Sequence, residues 1–126
     1  MDYTKHTTRP FEEVVAAVET AAAKRNFRTL QVHQVDQTLA EKGFTIAPYS
    51  IIEVCNASFA YQVLTKYPPA GMMLPCRIIV YAEGAETTVT LMKPSIIATL
   101  MPDQDFGSIP ADVERILIEV VDEAAA

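Results

Sequence analysis

The chain has 126 residues, half of them hydrophobic, with a formal net charge of −6. That suffices for one domain with a sizeable core and excludes a disordered chain. The acidic balance, with Lys24, Arg25 and Arg28 as the densest basic group, argues against a nucleic-acid partner, and no apolar run approaches the roughly 20 residues that span a bilayer.

Met1 to His6 is polar and lacks the apolar segment of a signal peptide, so a cytoplasmic location with reduced cysteines is expected. Tyr3 to Thr8 is β-branched and polar, which suits an edge strand. Pro10 then opens a helix in which Phe11, Val14, Val15, Val18 and Ala22 make one apolar stripe. Glu12 and Glu13 stand in its first turn and Lys24 and Arg25 in its last, as the helix dipole favours, and Asn26 is a credible terminator. Phe27 to Val35 reads as a strand, with Leu30 and Val32 on one face and Gln31 and His33 on the other. Asp36 to Lys42 is a helical turn closed by Gly43, and Phe44 to Cys55 is a long strand bent at Pro48.

Asn56 can cap a following helix whose buried stripe is Phe59, Ala60, Val63, Leu64 and Tyr67, ended by Pro68, Pro69 and Gly71. Leu74 to Ala82, a short turn at Glu83 to Ala85, and Glu86 to Met92 form a β-hairpin. Pro94 starts a short apolar helix through Met101, and Ser108 and Pro110 begin the last helix, with Val113, Ile116, Leu117, Val120, Val121 and Ala124 as its stripe. These elements make one α+β domain, an antiparallel sheet covered on one face by the first and last helices.

Chemistry centres on the two thiols. Cys55 precedes a helix N-terminus, where unpaired N–H groups and the dipole favour a thiolate; the plainer alternative is a small buried side chain at a tight corner. Cys76 runs in phase with Leu74, Ile78 and Val80 and reads as core. Glu53 shares the strand face of Cys55 and could serve as base or hydrogen-bond partner, with Tyr49 lining the same pocket. Parallel flanking strands would hold the thiols about 20 Å apart, whereas antiparallel ones bring them to one sheet end. The spacing of Cys55, Cys76, His6 and His33 matches no zinc signature, and a soft copper(I) site using Met72 or Met73 is weakly motivated, so no metal is expected. No phosphate-binding loop, nucleophile elbow or Cys-x-x-Cys is present, and no cofactor is expected.

The middle of the chain resembles the bacterial and archaeal family called domain of unknown function 302. The resemblance is carried by Thr38-Leu39-Ala40-Glu41-Lys42, Pro48-Tyr49, Val54-Cys55-Asn56, Ala60, Leu64, Gly71, Leu74-Pro75-Cys76 and Ile78-Ile79-Val80-Tyr81. Ala47, Ala57 and Arg77 depart from residues common at those places in the family. The resemblance implies a β-α-β-β-β-β-α order with a four- to five-stranded antiparallel sheet, similar in architecture to TATA-box-binding-protein-like folds. It also implies homodimers and the antiparallel arrangement that would let the thiols approach. It implies no reaction and gives no warrant for DNA binding.

The expectation is therefore a ligand-binding or thiol-redox module with a site around Cys55 and Cys76. Its candidate residues are Glu53, Cys55, Asn56, Met73, Cys76 and Arg77, joined by Tyr49. A small-molecule ligand and a second copy of the chain are the expected partners; nucleic acid and membrane are not. The alternative is a non-catalytic homodimeric accessory protein acting through a partner surface, and an enzyme with Cys55 as nucleophile ranks last.

Overall fold

In the computed structural model, which describes residues 1–126, the order is β1 (Asp2–Thr7), α1 (Phe11–Lys24), β2 (Arg28–Gln34), α2 (Val35–Ala40), β3 (Tyr49–Cys55), α3 (Ala57–Lys66), β4 (Cys76–Glu83), β5 (Glu86–Met92), α4 (Ile97–Leu100) and α5 (Ile109–Ala125). Two 3₁₀ turns, Pro68–Met73 and Pro94–Ile96, precede β4 and α4. Apart from the helices α2, α3 and α4, this is the β-α-β-β-β-β-α order that the resemblance implies. All five strands pair antiparallel in one sheet, ordered β1-β5-β4-β3-β2. The first strand is thus an edge, as its polar composition suggests. No helix is long and apolar enough to cross a membrane.

Local chemistry sets the boundaries. Glu12 and Glu13 occupy the first turn of α1 and Lys24 its last. Asn26 then adopts φ 63°, while Phe27 N–H returns to the Ala22 carbonyl at 3.0 Å and Asn26 N–H to that of Ala23 at 3.1 Å. This left-handed closure satisfies two carbonyls at the helix end and turns the chain into β2. Gly43, at φ 83°, closes α2 in the same way, with Phe44 N–H on the Leu39 carbonyl at 3.0 Å.

Two strand readings change. The strand expected from Phe44 begins only at Tyr49, and Phe44 to Pro48 is irregular and exposed. Gln34 is the last residue of β2 and pairs with Ser50, so β2 offers the earlier residues no partner, and β4 reaches only the Pro48 carbonyl, through Ala82 N–H at 3.0 Å. Leu30 and Val32 do not share a face. The β2–β3 register jumps between Thr29 and Gln31, leaving Leu30 in a bulge and 51% exposed.

One face of the sheet carries the main core. Ile52 and Val54 of β3, Ile78 and Val80 of β4, and Val89 and Leu91 of β5 are buried under α1 and α5. The helices contribute Val14, Val18, Ala21 and Ala22 from α1 and Val113, Leu117, Val120, Val121 and Ala124 from α5, so both predicted stripes face inward. Both ends of α1 also reach the last turns of α5. The Arg9 guanidinium donates to the Ala124 carbonyl at 2.8 Å, and Lys24 and Arg25 hold Glu123 at 3.0 and 3.2 Å. The two cations keep the Glu123 carboxyl below its ordinary range.

Leu117 is fully buried between helix and sheet. Leu117→Ala removes its contacts and leaves a cavity, so urea unfolding should report a loss of about 2–5 kcal/mol. A loss under about 1 kcal/mol would mean that α5 is not held tightly against the sheet.

Candidate functional site

The register between β3 and β4 builds the site. Val54 lies opposite Cys76 and Glu53 opposite Arg77, so the end of one strand and the start of the other meet at the same end of the sheet. Side chains alternate along each strand. Cys76 therefore joins Val54 on the helix-covered face, where it packs against the main core, while Cys55 falls with Glu53 and Ile51 on the other face. The antiparallel arrangement holds, but both thiols are free and they lie on opposite faces.

After β3 the chain leaves the sheet. Asn56 caps α3, its Oδ1 accepting Phe59 N–H at 3.1 Å, as the sequence leads one to expect. Its Nδ2 donates to the Asn26 carbonyl at 3.0 Å, tying the start of α3 to the turn before β2. The predicted α3 stripe is only partly realised: Val63 is buried, while Leu64 remains 37% exposed. Val63 packs with Ala70, Ile97 and Phe106 in a second, smaller core formed by α3, the 3₁₀ turn after it, α4 and the loop before α5.

Between the two cores lies a cavity of about 270 Å³. Phe27, Val54 and Val113 line it from the main core, and Val63 and Ile97 from the small one. Cys55, Asn56, Met73, Cys76 and Arg77 also line it. Among the lining residues only Asn56 and Arg77 bear a strongly polar side chain, and the amide of Asn56 is already engaged at both ends.

Two expected members stand elsewhere. Glu53 is not a lining residue; its Oε2 lies 3.6 Å from Arg77 Nε and 3.6 Å from His33 Nε2. Tyr49 is six residues before Cys55, roughly 20 Å along the strand, and its ring stacks on Tyr81 with centroids 5.5 Å apart. The strand reads as one face, but a strand face is longer than a pocket. Sequence reasoning missed the lining from Pro94, Ile96, Ile97, Ile109 and Val113, because these residues reach the site only through the packing of α4 and α5. It also missed His33 as a specific partner of Glu53, a pairing that depends on the bulge at Leu30. No three His, Cys, Asp or Glu side chains gather closely enough to hold an ion.

Burial governs both thiols, and Cys76 more than Cys55. Burial pushes the Cys55 thiol above its ordinary value. Burial, and secondarily the neighbouring Cys55, push Cys76 from 9.0 up to about 11, with Arg77 lowering it only in part. Both groups are protonated at neutral pH and are poor nucleophiles.

At about pH 8, iodoacetamide should modify Cys55 more slowly than free cysteine, and Cys76 more slowly still, until denaturant equalises them. Folding holds the Cys76 proton more tightly than the unfolded chain does, so its stabilising effect is complete below pH 9 and is lost as pH rises through about 11. Relative to Cys76→Ala, the natural chain should lose about 2 kcal/mol of stability between about pH 8 and pH 11, read by urea unfolding. A pH-independent difference would show that Cys76 is not shielded.

The family described as Domain of unknown function DUF302 matches residues 3–124. An uncharacterized protein of Aquifex aeolicus (strain VF5) is 30% identical over 71 residues, covering 56% of this chain and 44% of that protein, so the aligned stretch spans less than half of the relative's length. The crystal structure of an uncharacterized conserved DUF302 protein from Bacillus stearothermophilus is similar throughout, with a TM-score of 0.91 at 31% identity over 98% of this chain and 97% of the other. With the match running from the first strand to the last helix, the chain belongs to the domain of unknown function DUF302 family.

Proposed function

We propose that the chain is a binding protein for a small, predominantly apolar molecule seated in the cavity at the sheet end. The observation that carries this reading is the cavity itself, about 270 Å³, partly open to water and lined by apolar side chains from two separate cores. Ligand sites are concave, mostly apolar and largely preformed. At roughly 30 Å³ per methylene-sized group, the space admits about eight or nine such groups. Of the two activities expected around the thiols, binding is favoured over redox chemistry. Both thiols hold their protons, and Glu53 is engaged by Arg77 and His33 rather than by Cys55.

Calorimetric titration with straight-chain alcohols tests this directly. Each added methylene should tighten binding about fourfold, or about 0.8 kcal/mol, and the gain should level off near eight or nine carbons. Ala60 lines the cavity and is partly exposed. Ala60→Trp should therefore abolish binding while leaving the circular dichroism spectrum intact. Affinity independent of chain length would sink the reading.

The uncovered sheet face favours a second reading, a homodimer. Ile51 lies opposite Ile79 there, beside the stacked Tyr49 and Tyr81. Five strands of about seven residues present on the order of 550 Å² per copy, which places a face-to-face pair near the lower limit for a specific interface. Sedimentation equilibrium should then report a dimer that Ile79→Lys dissociates. A natural chain that stays monomeric at about 100 μM excludes this reading.

A further inference from the structure

We infer that the ligand of the cavity carries an anionic head, such as a carboxylate, which the Arg77 guanidinium recognises at the cavity mouth. The inference rests on the binding reading and adds the chemical class of the ligand.

Arg77 lines the cavity, yet its side chain is 49% exposed, which places it at the boundary between the apolar interior and water. It is the only Lys, Arg, His, Asp or Glu among the lining residues. Within the cavity wall an anion therefore finds one opposite charge, and a cation finds none. The guanidinium is also incompletely used. Its Nε faces Glu53 at 3.6 Å, beyond hydrogen-bonding distance, and neither terminal nitrogen donates a hydrogen bond within the chain. Glu53 is only 17% exposed and lies equally near His33. The forked end of the guanidinium is left without a hydrogen bond in the chain, and such a fork pairs with a carboxylate through two parallel hydrogen bonds.

Two more cations lie nearby: Arg28 pairs in register with Cys55, and Lys93 sits between the lining residues Met92 and Pro94. Carboxylates lie nearby as well: Glu53 beside Arg77 and His33, Glu114 accepting from the Ser95 hydroxyl and amide at 2.6 and 3.2 Å, Asp2 opposite Met92, and Asp112 between Pro110 and Val113. None of these carboxylates lines the cavity, so Arg77 is the one charge that a ligand meets in its wall. The ligand so defined is a short amphipathic acid, with an apolar body of up to about eight or nine carbons inside and its charged end at Arg77.

The test compares three probes of matched tail on the natural chain at neutral pH: octanoate, 1-octanol and octylamine, each by calorimetry. Octanoate should bind about tenfold more tightly than octanol, in line with one charge-assisted contact at a half-exposed site, and octylamine should bind most weakly. Arg77→Gln should erase the octanoate-to-octanol ratio, with circular dichroism confirming that the variant is folded. Octanol binding as well as or better than octanoate overturns the anionic head and leaves the cavity reading standing. Failure of all three to bind overturns both. Because the three-probe comparison uses the natural chain, it decides the question even where the variant fails to fold.

Discussion

The register of β3 against β4 is the constraint on which the rest of the molecule depends. On the covered face it aligns Ile52 with Ile78 and places Val54 opposite Cys76; on the open face it matches Tyr49 with Tyr81, Ile51 with Ile79 and Glu53 with Arg77. Except where Ser50 meets Val80, like meets like or charge meets opposite charge on both faces, and such cross-strand pairs stabilise a sheet. A slip of one residue would turn Ile78 and Val80 to water and drive Arg77 into the core. The same register brings the end of β3 and the start of β4 together, so the pairing that specifies the fold also specifies where a site can form.

The cavity follows from how the remaining chain covers this sheet. Helices α1 and α5 bury most of one face. The segments that leave the sheet at its end, α3 and α4 with their 3₁₀ turns, close around a small apolar cluster of their own instead of joining the main core. Two cores that meet along a seam do not interdigitate as one core does. The seam is where the space remains, and its wall inherits apolar residues from both sides. Asn56 stabilises the arrangement, its Oδ1 capping α3 and its Nδ2 tying the helix start to the turn before β2.

Much of this is legible in the residues. The stripes of α1 and α5, the Asn26 reversal, the Asn56 cap and the β4–β5 hairpin are local signals, and local signals are written in neighbouring positions. Five of the seven candidate site residues line the cavity because they sit at strand and helix ends that the fold brings together. Tyr49 and Glu53 fall outside it because a shared strand face says nothing about distance along the strand. The raised pKa of Cys55 has a related cause. A helix start beside it is visible in sequence, whereas its burial depends on elements tens of residues away. The bulge at Leu30 leaves no pattern that distinguishes it from regular alternation, so the residues alone do not reveal the face assignments along β2.

That bulge also bears on how copies of the chain behave when crowded. β2 is an outer strand, and an outer strand offers unpaired backbone groups to any passing β-segment. Along β2 those groups lose step at Leu30, after only Arg28 and Thr29, so an incoming strand cannot keep a continuous ladder. The opposite rim, β1, carries Lys5 and His6 on a short and largely polar strand. Edge-to-edge polymerisation into a fibre is thereby disfavoured by backbone geometry on one side and by side-chain charge on the other. Two strands of six and seven residues thus guard the edges of a chain that is half hydrophobic.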